Sequence, residues 1–436
     1  ARIRIRQLPS ISIDKRPTIL NFLKKLPVYY SFSGAAEGVS RKETVEDLVL
    51  FVNEVAGNPI ITPSIVQRLD LHPRFELPLH FAGWSITSSG AGRVTFYSNS
   101  LDPANRDVLS RNLTRSYGEF ELDVRPPAFA KDFRRGDKSF WFRHVIEPYV
   151  LYRKVSGVNN FDRIIRFDYV DAIADTNEIE FGVANRFFTR RSTENVSDVR
   201  VTEISGRERP LLSSQPYEAL TITIRGKYFF DPFFGGALVP GQRNQFYPIN
   251  TLSGFVYGGV PRRFSPINVD ARYRPRNNMF VDVRSDIDTR GGGMRSLSTT
   301  FGITRSLVEI FQSFYYTRAI ELVPSLARFE DRRGLGLEAG TLRGSQWSPS
   351  VFLGNRERGL FGGASFFFDF QKRPGRGDSS LINSTVTLGH TWDCCAVTAQ
   401  FSSWNVGLRK ENRVVFSFRL NGIGSFGTEQ IGQRFR

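Results

Sequence analysis

The chain has 436 residues, of which 40% are hydrophobic and 13% aromatic, and its formal net charge is +16. Its mean hydropathy is −0.27. A transmembrane helix needs about 20 consecutive apolar residues, and the sequence has no such run. A helical membrane protein is therefore excluded. A transmembrane β-barrel is compatible with these values, because its strands alternate lipid-facing and lumen-facing residues.

The basic residues are spread along the chain. A positive charge of this size often indicates a nucleic-acid partner. Here, however, arginines alternate with apolar residues, as in the segment from Arg2 to Arg6. This placement favours a polar barrel lumen, or rims that face anionic lipid, so we expect a membrane protein without a nucleic-acid partner.

A two-residue alternation of apolar and polar residues, typical of β-strands, recurs along the whole chain. The sequence predicts strands at 3–6, 120–125, 165–169, 220–225, 269–274, 279–284 and 414–421. Turn signals occur at Gly90 with Gly92, Asn159–Asn160, Gly235–Gly236, Asn277–Asn278, Gly291–Gly293 and Pro374–Gly375. The best helix candidate, Arg41 to Val55, is interpreted as a loop or lid segment.

These patterns predict an all-β fold, a large antiparallel transmembrane β-barrel of about 18–22 strands. It would form one domain over residues 1–436. Arg and Asp lie close together on the polar faces, as expected where charges from neighbouring strands pair inside a lumen. The alternative is a series of soluble β-domains, but no linker rich in Pro, Gly and Ser divides the chain into such units.

Three stretches resemble the LPS-assembly protein LptD family. They are the run from Arg143 to Arg190, the run from Arg68 to Tyr97, and Trp392–Cys395 with the strand that follows it. The resemblance covers roughly Leu8 to Gly427. In the first run the positions that match the family pattern are His144, Pro148, Tyr152, Phe161, Asp162, Asp168, Asn185, Arg186 and Phe187.

The resemblance implies a translocon of the bacterial outer membrane that inserts lipopolysaccharide into the outer leaflet. Polar sugars would pass through the lumen, and acyl chains would leave by a lateral gate between the first and last strands. The last strand is expected around Arg413–Gly422. The first strand is not identified, so an N-terminally incomplete barrel is also expected. Candidate gate residues on the last strand are Val414, Phe416, Phe418 and Leu420.

The resemblance also implies partners. These are an LptE-like lipoprotein plug inside the barrel and a periplasmic Lpt bridge, reached through the family's N-terminal β-jellyroll, which this sequence lacks. A porin or substrate-specific channel is the alternative function. Such a channel would have an inward-folded constriction loop and would need no disulfide link to a periplasmic domain.

Cys394 and Cys395 are the chain's two cysteines. Adjacent residues of a strand point to opposite faces, so they are not expected to pair with each other easily. Thiols do not stay free in an oxidising compartment, which suggests distant partners. The resemblance implies disulfides to cysteines of the family's periplasmic region, and the chain is then expected to be a fragment. Two unpaired cysteines remain the alternative.

No catalytic constellation stands out, so the sequence predicts no enzyme, no cofactor and no metal site. The four histidines lack metal-ligand spacing. His144, at the start of a predicted strand, is interpreted as a hydrogen-bonded structural residue. The histidines are His72, His80, His144 and His390.

Overall fold

The strands that the computed structural model describes form antiparallel β-sheet, joined by turns and irregular connections. The 3₁₀ turn Phe161–Arg163 is the one helical element in the described residues. The described residues are 4–20, 26–43, 60–136, 140–171, 173–190, 216–232, 263–276, 278–289, 293–318, 343–370, 380–406, 409–420 and 424–426.

The described ranges contain 21 strands. The first eleven are β1 (Arg4–Ile19), β2 (Tyr29–Lys42), β3 (Val66–Phe81), β4 (Trp84–Tyr97), β5 (Ser100–Leu101), β6 (Val108–Leu109), β7 (Leu113–Arg125), β8 (Phe129–Arg134), β9 (Phe140–Ser156), β10 (Thr176–Arg190) and β11 (Pro216–Phe229). The others are β12 (Ile267–Arg276), β13 (Met279–Asp288), β14 (Gly293–Arg305), β15 (Val308–Arg318), β16 (Arg343–Gly354), β17 (Gly359–Asp369), β18 (Leu381–Thr391), β19 (Cys395–Val406), β20 (Arg409–Leu420) and β21 (Gly424–Phe426).

Nineteen of these strands form a single sheet, and β5 and β6 pair separately. Long strands that follow one another in the chain also pair with one another in the sheet, from β1 paired with β2 to β19 paired with β20. This up-and-down order is that of a transmembrane β-barrel. The predicted fold class is confirmed, and the strand number lies within the predicted range.

The connections at the two ends of the sheet differ in length. At one end, the short-turn end, β3 and β4 are joined by residues 82–83, β14 and β15 by 306–307, and β18 and β19 by 392–394. At the opposite, long-loop end, residues 98–112 join β4 to β7 and residues 157–175 join β9 to β10. Connections that depart from this division include residues 191–215, between β10 and β11 at the short-turn end, and residues 407–408, between β19 and β20 at the long-loop end.

One strand of the barrel wall is broken. Strands β7 and β8 both pair with the same side of β9, β7 with Val150–Ser156 and β8 with Phe140–Ile146. The break falls at Pro126–Pro127, because proline lacks the N–H group that a ladder needs. Pro148 of β9 lies opposite this break, where neither β7 nor β8 pairs with it.

Exposure distinguishes the two faces of the sheet. On β3, Leu69 and Leu71 are 45% and 40% exposed, whereas Arg68 and Asp70, on the opposite face, are 3% and 6% exposed. The exposed apolar face is the outer face of the barrel, and the charged face lines the lumen. No helix in the described ranges is long and apolar enough to cross a membrane.

Two predictions from local pattern were wrong. The predicted strand 165–169 is an irregular segment of the β9–β10 connection. Gly90 and Gly92, predicted as a turn, lie inside β4. Gly90 faces Phe75 on one neighbouring strand and Phe120 on the other. A Cβ atom added at Gly90 or Gly92 would meet no other atom within 4 Å, so neither a turn nor close packing requires a glycine at these positions.

The other local predictions have mixed outcomes. The strands predicted at 120–125, 220–225, 269–274, 279–284 and 414–421 correspond to β7, β11, β12, β13 and β20, and β1 covers the described part of 3–6. Asn159–Asn160 lie outside the strands, and Asn278 is in a turn. Residues 44–55 of the predicted lid segment, Gly235–Gly236, Gly291, Gly292 and Pro374–Gly375 lie outside the described residues.

Candidate functional site: the lumenal loop and the seam

The β9–β10 connection, residues 157–175, folds back over the inner faces of β2, β3, β4 and β7; we call it the lumenal loop. Its apolar side chains form the core of the molecule, packed against inward-facing residues such as Val39 and Tyr97. The hydrophobic core therefore lies inside the barrel wall. The buried apolar residues of the loop are Val158, Phe161, Ile164, Ile165, Phe167, Val170, Ile173 and Ala174.

The loop is held to the wall through Asp171, which is fully buried. Arg68 Nη1 of β3 donates to Asp171 Oδ2 over 2.9 Å, and Tyr97 Oη of β4 donates to Oδ1 over 2.5 Å. The backbone N–H of Phe167 also donates to Oδ2. Arg68 Nη2 pairs in addition with Asp168, at 2.5 Å. Buried charges that are paired and hydrogen-bonded in this way tie the loop to two strands at once.

Arg115 of β7 holds the loop by its backbone. It is 2% exposed, and its guanidinium donates to the carbonyl oxygens of Val170 (2.6 Å), Asp171 (3.3 Å) and Ile173 (3.5 Å). These carbonyls belong to an irregular segment, where no ladder is available to satisfy them. Arg115 therefore supplies the hydrogen bonds that buried backbone requires.

Glu37 of β2 links this network to the first strand. Its Oε2 accepts from Arg68 Nε over 3.0 Å. Its Oε1 accepts from Gln7 Nε2 over 2.5 Å and from Ser10 Oγ over 3.1 Å, both on β1. A continuous path of hydrogen bonds thus runs from β1 through Glu37 and Arg68 to the lumenal loop.

Three arginines meet near the long-loop end of the lumen. Arg41 and Arg106 both pair with Glu43, at 2.5 and 3.3 Å. Arg41 also donates to the backbone carbonyl of Arg166. The Arg166 guanidinium lies over the ring of Phe161, 4.9 Å from its centroid.

Two groups of the lumenal loop have shifted pKa values. Burial raises the pKa of the Asp171 carboxyl, against the opposing effects of Arg68 and the Tyr97 hydrogen bond. Burial lowers the pKa of Arg166 to about 10, and the positive charges of Arg41 and Arg106 act in the same direction.

The structure brings together several residues of the central run on the outer face. His144 stacks on Phe187 with ring centroids 4.3 Å apart, and its Nε2 lies 3.1 Å from Asn185 Oδ1. Tyr152 lies on the same face, 6.1 Å from Phe120 between ring centroids. These contacts join β9 to its neighbours and do not reach the lumen.

The other residues of the run lie elsewhere. Arg186 faces the lumen, where its Nε is 3.1 Å from Glu147 of β9 and its Nη1 is 3.8 Å from Glu218 of β11. Asp168 belongs to the network around Arg68. Asp162, also in the lumenal loop, is exposed. The residues of the central run therefore lie in three places: the outer face of the barrel, its lumenal face and the lumenal loop.

Strands β1 and β20 are the first and last long strands of the sheet in the described ranges, and we call their outer edges the seam. Every residue of β1 is exposed. Strand β20 pairs with β19 along its whole length and with β21 only at Phe418–Leu420. No ladder between β1 and β20 is present in the described ranges. The candidate gate residues Val414, Phe416 and Phe418 are 59%, 70% and 39% exposed, and Leu420 is partly buried.

The cysteines lie where β18 turns into β19. Cys394 is in the turn and Cys395 is the first residue of β19, and both are free thiols. The expectation that they point to opposite faces was wrong, because Cys394 is not in a strand. Their sulfur atoms lie 2.6 Å apart. The pair lies at the short-turn end, the end at which β20 also finishes.

A family model described as LPS transport system D, LptD, matches residues 6–322. The chain belongs to the LptD family. The match includes the lumenal loop and all the strands that contact it. As the sequence predicted, the protein is a β-barrel of the bacterial outer membrane. Short turns of such barrels face the periplasm, so in this LptD-family barrel the short-turn end, with Cys394 and Cys395, is the periplasmic end.

Curated relatives agree with the family. An LPS-assembly protein LptD of Photobacterium profundum is 21% identical over 295 residues, which cover 59% of this chain and 35% of that protein. Another, of a Shewanella strain, is 26% identical over 146 residues, covering 29% of this chain and 18% of that protein. The matched segments therefore span about a third or less of these LptD proteins.

Solved structures give weaker likenesses. The alcaligin outer-membrane receptor FauA of Bordetella pertussis has a TM-score of 0.27 at 9% identity, covering 96% of this chain and 64% of that one. The siderophore receptor PirA of Acinetobacter baumannii has a TM-score of 0.34 at 6% identity, covering 95% and 64%. At these scores the likeness supports no inference about this LptD-family chain.

Sequence reasoning missed the residues that hold the loop. Asp168 was recognised through the family pattern, but its neighbour Asp171 was not, nor were Arg68 and Arg115 as its partners. The only available signal was the alternation of Arg68 and Asp70 with leucines, which indicates a polar face without naming what that face contacts. No group of three or more potential metal ligands occurs in the described part of the chain.

Proposed function

We propose that this chain takes part in lipopolysaccharide transport, as the outer-membrane barrel that inserts lipopolysaccharide into the outer leaflet. Polar sugars would pass through the lumen, and acyl chains would leave through a lateral gate that has β20 on its last-strand side. The observation that carries the proposal is the edge of β20, which pairs with β21 only at Phe418–Leu420 and carries exposed apolar side chains beside a charged lumen wall.

The seam supports lateral release on physical grounds. Strands inside the sheet are held by ladders on both sides, whereas β1 has a ladder only with β2. Unpaired strand edges separate at lower cost than a complete ladder. The outward apolar side chains next to the seam, Ile11 and Ile13 on β1 and Phe416 on β20, are more than 60% exposed. They would offer acyl chains an apolar path.

The lumen wall supports the passage of anionic sugars. It carries arginines on several strands, including Arg186, Arg225, Arg272 and Arg284. Guanidinium groups form charge-assisted hydrogen bonds with phosphates and carboxylates. Transport of this kind requires a hydrophilic cavity and a weak seam, and we propose no enzymatic activity.

The partners follow from the family and belong to the same proposal. An LptE-like lipoprotein would plug the barrel, and a periplasmic Lpt bridge would deliver the substrate. Cys394 and Cys395, exposed or partly exposed at the periplasmic end, would form disulfides with a periplasmic domain. Non-reducing electrophoresis of the full-length gene product checks this; a mobility that reduction leaves unchanged would contradict the disulfides.

The test of transport is depletion of the protein in its host with measurement of surface lipopolysaccharide, which is expected to fall. Surface lipopolysaccharide that stays normal after depletion would overturn the proposal.

A porin or substrate-specific channel remains the second candidate, because the lumenal loop folds inward as a constriction loop does. The same depletion experiment separates the two functions. Lost uptake of small solutes with unchanged surface lipopolysaccharide would favour the channel.

A further inference from the structure

We propose that Arg41, Arg106 and Arg166 form a binding site for a phosphorylated saccharide at the long-loop end of the lumen. The inference rests on the proposed function, since it names a chemical group that the transported molecule would present there. The three side chains come from separate parts of the chain: the end of β2, the β4–β7 connection and the lumenal loop.

Arg166 is the central residue of this site. Its guanidinium lies over the Phe161 ring, 4.9 Å from the centroid, and it forms no ion pair with an acidic residue in the described part of the chain. Its Nε is buried and has no hydrogen-bond partner there. A buried N–H group without an acceptor is costly. A bound anion would provide the missing acceptor.

Arg41 and Arg106 add positive charge beside it. Both share one carboxylate, Glu43, which is 6% exposed, so the cluster keeps an excess of positive charge. The Arg41 and Arg106 side chains are 16% and 20% exposed and remain reachable from the lumen. The cluster is buried enough to strengthen electrostatic contacts and open enough to admit a ligand.

Phosphate fits this arrangement better than a neutral sugar. A guanidinium group binds a phosphate through two parallel N–H···O bonds, and the several oxygens of one phosphate can accept from more than one arginine. A sugar without charge would leave the excess charge uncompensated. The exposed Asp162 is near enough to Arg166 for their charges to interact, and its negative charge would repel a bound anion and limit the affinity.

The experiment uses the whole chain, folded in detergent micelles, and isothermal titration calorimetry with glucose 1-phosphate, inorganic phosphate and glucose. We expect saturable binding of glucose 1-phosphate, weaker binding of inorganic phosphate and none of glucose. Arg166→Gln and Arg106→Gln are each expected to weaken binding about tenfold, the effect of one charge-assisted hydrogen bond. Arg166→Lys keeps the positive charge but loses the two parallel N–H donors of the guanidinium group, so its affinity should lie between those of the unmodified chain and Arg166→Gln.

Arg125→Gln is the matched control, since Arg125 lies at the short-turn end, is 64% exposed and pairs with Asp123 on its own strand; it should bind as the unmodified chain does. Circular dichroism checks folding. If Arg166→Gln fails to fold, Arg106→Gln, outside the strands, still tests the site. Unchanged affinity in the variants, or no saturable binding, would overturn the site. Equal affinity for inorganic phosphate would overturn the saccharide part of the proposal.

The outcomes separate this inference from the proposed function. Binding in the calorimeter needs no transport, and surface lipopolysaccharide in the host needs no measurement of phosphate binding. Phosphate binding with normal surface lipopolysaccharide after depletion would refute transport alone. Loss of surface lipopolysaccharide without phosphate binding would refute the site alone.

Discussion

The lumen wall holds the same pairs of residue types in two different environments. On β3 and β4, Arg93 and Asp70 form a bidentate pair whose side chains are 9% and 8% exposed. On β12 and β13, Arg272 and Asp282 pair at 3.2 Å, but their side chains are 53% and 38% exposed. The difference is the lumenal loop, which covers β2–β7.

Burial makes the charges near the lumenal loop structural, whereas the Arg272–Asp282 pair is open to solvent. An exposed ion pair contributes about 0–1 kcal/mol, because water and salt screen it. Removing one partner of a buried pair costs about 3–5 kcal/mol, because the other charge stays buried and unpaired. The same alternating pattern therefore produces both buried and solvent-exposed ion pairs on the lumen wall.

The largest expected effect tests this difference directly. Arg68→Met would leave Asp171 and Asp168 without their cation and is expected to reduce the free energy of unfolding by about 3–5 kcal/mol. Arg272→Met, the matched control, is expected to cost about 0–1 kcal/mol. Urea unfolding of the protein in detergent micelles measures both. Equal losses in the two variants would mean that loop burial does not distinguish the two regions.

The second prediction concerns the loop alone. Arg115→Met removes the donor to three loop carbonyls and is expected to reduce the free energy of loop docking by about 2–3 kcal/mol. Amide exchange across 157–175 is then expected to become roughly thirty- to hundred-fold faster. Hydrogen exchange by mass spectrometry measures this. Arg125→Met is the control, since Arg125 is 64% exposed and pairs with Asp123 on its own strand. Exchange that stays slow in Arg115→Met would contradict the role of Arg115.

The sequence predicted the strands because alternation is a local property. Segments such as 279–284 and 414–420 alternate, and each lies in a ladder. Local pattern failed at 165–169. There the adjacent residues Ile164 and Ile165 are both buried and Tyr169 is 78% exposed, so burial is set by how the loop packs on the lumen wall and does not follow the alternation of the sequence.

The candidate site was less predictable than the fold. Asp171 and Arg68 are separated by 103 residues, and only the packing of the loop against β3 brings them together. The family pattern identified Asp168 but assigned it no partner. The cysteine geometry depends on where β19 begins, and a shift of a single residue decides whether Cys394 is in a turn or a strand.

The third prediction tests the link from the loop to the seam. Glu37→Gln would weaken the acceptor that Gln7, Ser10 and Arg68 share, and is expected to reduce the free energy of local opening of β1 by about 1–2 kcal/mol. Amide exchange in β1 is expected to rise about tenfold, with little change in β12 and β13. Glu76→Gln is the control, because Glu76 is half-exposed and lies 3.9 Å from Arg74. Faster exchange in the loop but not in β1 would show that the path ends at β2.

The smallest expected effect is the pH dependence of loop docking. Because burial raises the pKa of Asp171, the docked loop binds more protons than the undocked loop between the ordinary carboxyl pKa of about 4 and the raised value. This contribution to docking is fully present below that window and is lost as the pH rises through it. Amide exchange across 157–175, corrected for intrinsic rates from pH 4 to 7, should show the decline. Asp171→Asn should remove the part of the pH dependence of amide exchange that comes from this carboxyl. Parallel plots of exchange against pH for the two proteins would contradict the raised pKa.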